Sequence, residues 1–130
     1  MSPDLKPGVA RQIEFVVVES MCPRFEGGPI VHRVCSTWTL AHRFEIAGRR
    51  VLVDYLEPHE EGVGSHVSVD HVGPAQVGRT ILVRAVAIEV TDRKLVCDTT
   101  AETDGRVIAT GRTVQGIFPR EMLARLLQRG

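Results

Sequence analysis

Thr37-Trp38-Thr39-Leu40-Ala41-His42-Arg43-Phe44-Glu45-Ile46-Ala47-Gly48-Arg49-Arg50-Val51-Leu52-Val53-Asp54-Tyr55-Leu56 decides the fold. Leu40, Phe44, Ala47, Val51 and Tyr55 recur at steps of three and four, which lines one face of a helix over residues 37–56. Ser36, Thr37 and Thr39 can each act as N-cap, and Pro58 stops the helix shortly after its end. Gly48 in its interior costs about 1 kcal/mol relative to Ala, so close packing against a neighbour is expected there. No other segment has this period over such a length.

The flanks read differently. Ile13, Phe15 and Val17 alternate against Gln12 and Glu14, which predicts a strand over residues 12–19. The pattern collapses over residues 20–36, where Pro23, Gly27, Gly28 and Pro29 fall. A connection this long in a small domain is a candidate lid or channel wall. Beyond the helix the chain reads as a β-meander, with strands at 63–72, 80–90, 95–103 and 106–118. Gly73-Pro74 breaks the first of these, and Asp104-Gly105 is a hairpin signal between the last two. Pro119 is expected to open a short amphipathic helix with Met122, Leu123, Leu126 and Leu127 as its stripe. The order of strand, long loop, long helix and four strands predicts an α+β domain. A curved antiparallel sheet wrapped around one central helix, the hotdog fold, satisfies it, and an α+β sandwich of another topology fits nearly as well.

Composition bounds what this domain does. The 130 residues form a single domain, 1–130, with 43% hydrophobic and 25% charged residues, which excludes disorder across the whole chain. Nineteen valines against four Phe, one Tyr and one Trp favour β-rich structure. Sixteen basic residues balance sixteen acidic ones, so neither nucleic acid nor a membrane surface is an expected partner. Cys22, Cys35 and Cys97 are odd in number and lack CxxC spacing, which points to a reduced, cytoplasmic setting rather than to zinc or disulfides. The N-terminal residues carry no signal-peptide pattern, and the most apolar run, residues 81–90, contains Arg84 and Glu89.

Three positions carry chemical content. Thr37 lies at the helix start, as a cap or as a reactive hydroxyl. Glu45, eight residues and about 12 Å of helix rise further on, flanks the apolar stripe, as a surface charge or as a placed base. His71, continuing the alternation of Val67 and Val69, faces the helix at a strand end, where it is a buried neutral histidine or a base near neutral pH. Gly64 lets a ligand approach the backbone or accommodates a bulge. Strict alternation puts His66 and His71 on opposite faces, and no set of histidines has metal-ligand spacing. GxGxxG, Walker and GxSxG patterns are absent from the sequence.

Ser36-Thr37, Glu45, the run Gly62-Val63-Gly64-Ser65-His66-Val67-Ser68-Val69-Asp70-His71-Val72, Pro74, Gly78 and Gly111-Arg112-Thr113 together resemble the fluoroacetyl-CoA thioesterase-like family of hotdog proteins. The resemblance covers nearly the full length, and its four key positions stay in register over 35 residues. It implies hydrolysis of a small acyl-CoA thioester by Thr37, Glu45 and His71, with Gly64 lining the thioester site and Ser36, Ser65 and Trp38 close to substrate. It further implies a homodimer or a dimer of dimers, with no cofactor beyond the coenzyme A of the substrate. Two positions depart from the family. Trp38 stands where Pro is common, and residues 20–36 hold only Phe25 where the fluoroacetyl-specific enzyme has a phenylalanine pair. Thr37 serves as nucleophile or as oxyanion donor. A non-catalytic acyl-CoA-binding module and an enoyl-CoA hydratase are the other readings, the latter hampered because adjacent Asp70 and His71 face opposite ways.

Overall fold

A computed structural model describes residues 1–129. Five antiparallel strands, β1 (Ala10–Val16), β2 (Glu60–His71), β3 (Thr80–Val90), β4 (Lys94–Thr103) and β5 (Arg106–Pro119), form one sheet. The long helix α1 (Thr37–Val53) lies against this sheet, and a short helix α2 (Arg120–Arg129) follows β5. This is the hotdog arrangement. All five strands touch α1, and Leu40, Phe44, Ala47 and Val51 are fully buried along its inner face. Each large side chain so buried contributes about 1.5–3 kcal/mol. Tyr55 falls outside the helix, which ends three residues earlier than its period predicts.

At Gly48 helix and sheet approach closely. A Cβ built there would lie 2.6 Å from Thr113 Oγ1 on β5. The Gln115 side-chain amide donates to the Gly48 carbonyl at 2.9 Å, which fixes the axial position of α1 over β5.

The sheet order is β1-β3-β4-β5-β2, so the expected meander holds only from β3 to β5. Asp104 and Gly105 turn the β4–β5 hairpin with φ of 52° and 72°, the left-handed pair that a two-residue hairpin requires. β2 instead crosses to the far edge and pairs with β5, Gly64 opposite Gln115 and His71 opposite Ala109. A helix lying across a curved sheet must be covered on both flanks; β1 and β3 cover one, β2 and β5 the other. The register shifts between Gly64 and His66. This bulge resets the alternation, so Gly62 and Gly64 before it and Val67, Val69 and His71 after it all share the helix side.

Three further differences have local causes. β1 ends at Val16 because Glu19–Met21 winds into a single 3-10 turn. Residues 20–36 are strapped down by Ser36 N–H to the Met21 carbonyl at 2.8 Å and Cys35 N–H to Ala75 at 2.8 Å, with Cys22 and Cys35 buried. Pro119 closes β5 rather than opening α2, and Met122, Leu126 and Leu127 of its stripe stay exposed. Among the described residues, no helix is long and apolar enough to cross a membrane.

Candidate active site

Ser36 takes the N-cap of α1. Its side chain accepts from Thr39 N–H at 3.2 Å, and its hydroxyl lies 2.8 Å from Thr39 Oγ1. Thr37 is thereby free of capping duty, and its hydroxyl pairs with His71 Nδ1 at 2.9 Å. The contact spans 34 residues of sequence and joins the first turn of α1 to the last residue of β2. His71 Nε2 is buried, with no hydrogen-bond partner among the described residues. The tautomer decides the chemistry. With the proton on Nε2, Nδ1 accepts from Thr37 and the two form a nucleophile–base pair. With the proton on Nδ1, the Thr37 hydroxyl is free to donate elsewhere.

This pair sits at a cavity of about 600 Å³, walled by Phe25, Val34, Cys35, Trp38 and Ala41. Burial pushes the Cys35 thiol up to about 12, with the Arg43 charge opposing, so Cys35 is an apolar wall and not a second nucleophile.

Glu45 occupies a separate recess of about 290 Å³ with Gly64, His42, Arg49, His66 and Thr113. Its carboxylate is exposed, and a Cβ on Gly64 would lie 3.2 Å from Glu45 Oε2. Glycine here leaves the strand open beside the carboxylate. Thr113 Oγ1 is buried in the same recess, with no hydrogen-bond partner among the described residues. At the rim, Arg49 Nη2 donates to Glu61 Oε1 at 2.8 Å. That hydrogen bond and the Gly62 N–H hold the Glu61 carboxyl below its ordinary range against the opposing effect of burial, helped by the charges of Arg49 and Arg120.

Within one chain the four positions therefore form two couples, Thr37 with His71 and Glu45 with Gly64. Ser36 and Trp38 accompany the first couple. Ser65 joins neither: it lies on the outer sheet face beside Val63 and Phe118, its hydroxyl donating to the Val114 carbonyl at 3.3 Å. Sequence reasoning missed Cys35, Ala41 and Val34 as cavity walls. Ala41 alone had a readable signal, since it follows Thr37 by one helical turn. Among the described residues, no three His, Cys, Asp or Glu side chains are placed to hold a metal ion.

A helix gripped by a curved sheet, with a hydroxyl–imidazole pair beside an apolar cavity, is the build of a hotdog-fold thioesterase. Residues 17–121 match the model of the fluoroacetyl-CoA-specific thioesterase family, and the chain belongs to that family. A hypothetical protein of Thermus thermophilus, a thioesterase superfamily member, is 32% identical over 99% of this chain and 94% of its own, with a TM-score of 0.94. A mutant of the fluoroacetyl-CoA-specific thioesterase, solved with fluoroacetate and CoA, is 24% identical over 91% of this chain and 98% of its own, with a TM-score of 0.81. A hot-dog-like protein from Thermanaerovibrio acidaminovorans shares 18% identity over 98% of this chain and 92% of its own, with a TM-score of 0.86. No curated protein sequence matches the chain. The enzyme is a thioesterase, and its substrates are acyl-CoA thioesters.

Proposed function

We propose that the enzyme hydrolyses its acyl-CoA at sites shared between two copies of the chain, each combining Thr37 and His71 of one protomer with the partner subunit's Glu45. The observation that carries this reading is the division of the four positions into two couples. β2 supports it as well. This strand lies at the sheet edge, so one row of its backbone groups is left to pair with another chain. Antiparallel pairing of two β2 strands about a two-fold between Val67 and Ser68 sets Gly64 of one opposite His71 of the other. The same pairing carries each Glu45 toward the other chain's Thr37. The dimer works in the cytoplasm, where its three free cysteines stay reduced, and it uses no cofactor beyond the CoA of its substrate.

The reaction runs in two halves. Thr37 Oγ attacks the thioester carbonyl carbon as His71 Nδ1 takes the hydroxyl proton. The N–H groups of the first turn of α1 and the positive end of its dipole stabilise the oxyanion. The C–S bond then breaks, and the CoA thiolate takes the proton from His71. Water, losing a proton to His71, attacks the acyl-Thr37 ester; the acid leaves and Thr37 regains its proton. Glu45 orients that water. Incubation with short acyl-CoAs while following free thiol tests the chemistry. Thr37→Ser should retain much of the rate and Thr37→Val should not; equal activity of Thr37→Val and the parent enzyme refutes the Thr37 mechanism.

A further inference from the structure

We infer that the preferred acyl group is an uncharged apolar one of about four to seven carbons, straight or aromatic, with Trp38 and Phe25 setting that preference. The inference rests on hydrolysis at the Thr37–His71 pair and specifies what the cavity beside it takes. Two small side chains, Cys35 and Ala41, line the cavity beside Thr37, so its volume of about 600 Å³ exceeds what an acetyl group fills. Farther out stand two aromatic rings, Phe25 at 71% exposure and Trp38 at 61%, each presenting a large apolar face to water. A two-carbon acyl group occupies only the region of the reactive pair and leaves both rings wet. A longer chain or a ring displaces that water. Among the described residues no carboxylate lines the cavity, so a cationic acyl group finds no counter-charge. Arg24, the charged side chain of the lining, lies in the exposed loop, where water solvates it.

Each methylene buried in such a cavity raises kcat/KM by about fourfold. The test follows thiol release from acetyl-, butyryl-, hexanoyl-, benzoyl- and succinyl-CoA. Trp38 is the sole tryptophan, so its emission reports cavity occupancy without turnover when non-hydrolysable thioether analogues of acetyl- and hexanoyl-CoA are titrated in. The expected result is a rise of about 10²-fold in kcat/KM over the four methylenes from acetyl to hexanoyl, with benzoyl comparable and succinyl low, and a larger blue shift with the hexanoyl analogue. Ala41→Leu, which fills the cavity, should lower the hexanoyl-to-acetyl ratio by about tenfold. If that variant does not fold, Trp38→Ala, at an exposed position, should lower the same ratio. A maximum at acetyl or succinyl, or an emission change no larger for hexanoyl than for acetyl, overturns the inference. Absence of thiol release from every acyl-CoA, with the hexanoyl-dependent shift intact, overturns hydrolysis and leaves the cavity's preference standing.

Discussion

Two inactive variants of this enzyme should restore each other. Thr37→Val keeps the side-chain shape but deletes the hydroxyl that pairs with His71 Nδ1 at 2.9 Å. Glu45→Gln keeps the hydrogen-bonding shape and removes the charge beside Gly64. Losing the nucleophile in Thr37→Val should lower kcat by roughly 10⁴-fold or more, and losing the water-orienting carboxylate in Glu45→Gln by roughly 10²–10³-fold. Helix rise puts about 12 Å between the two positions in one chain, so each variant spoils a different part of a shared site. In a mixed dimer, one site receives both lesions and the other receives none. A statistical 1:1 mixture contains half mixed dimers, each with one intact site, so the specific activity should return to about one quarter of the parent value. The assay is thiol release after the two variants are co-expressed with different tags, with the mixed species purified in parallel. Activity that stays at the floor of the single variants, in a sample shown by mass to contain mixed dimers, refutes the shared site. Light scattering giving a single-chain mass of 14.3 kDa at micromolar concentration refutes it earlier.

Ser36→Ala should cost about 1 kcal/mol of stability by removing the N-cap, whereas Thr37→Val should leave the denaturation midpoint nearly unchanged; a reversed pattern in urea titrations would contradict the assignment of the cap. Gly48→Ala, which stabilises an exposed helix by about 1 kcal/mol, should here destabilise, because the new methyl would press on Thr113 Oγ1; a raised Tm counts against the packing argument. Glu61 has a depressed carboxyl pKa, so its contribution is present above the unfolded value of about 4.3 and is lost as pH falls through the lower folded value. Glu61→Gln should accordingly lower Tm at pH 7 and flatten the fall of Tm below about pH 4, and parallel Tm–pH curves for variant and parent would remove that ion pair from the account.

Local signals were legible where local physics settles the outcome. The stripe from Leu40 to Val51, the apolar run of β3 and the Asp104-Gly105 turn each depend on neighbours within a few residues. The destination of β2 does not. Val67 and Val69 are equally satisfied beside β3 or β5, and only the need to cover both flanks of α1 selects β5. The bulge at Gly64/His66 was hidden for the same reason, since it answers to the register of β5, some fifty residues away in sequence. The site shows the same division. Ser36, Thr37 and Thr39 are interchangeable as caps on paper, and folding assigns the role to Ser36 and frees Thr37. Residues 20–36 carry no period, so their length marked a candidate channel wall without marking Phe25 and Cys35 as the side chains that line it.

The crossover of β2 has a kinetic consequence. β3, β4 and β5 are joined by short connections and can zip together as each hairpin leaves the ribosome. β2 is synthesised before all three, yet its pairing strand is the last of them: His71 waits for Ala109 and Gly64 for Gln115. Such long-range closure is slow, so Thr37 and His71 meet only once β5 has been made. A chain cut short within β4 holds every residue of the reactive group and has no strand on which to seat half of it. Such a fragment leaves β2 unpaired along both edges, open to pairing with other nascent chains.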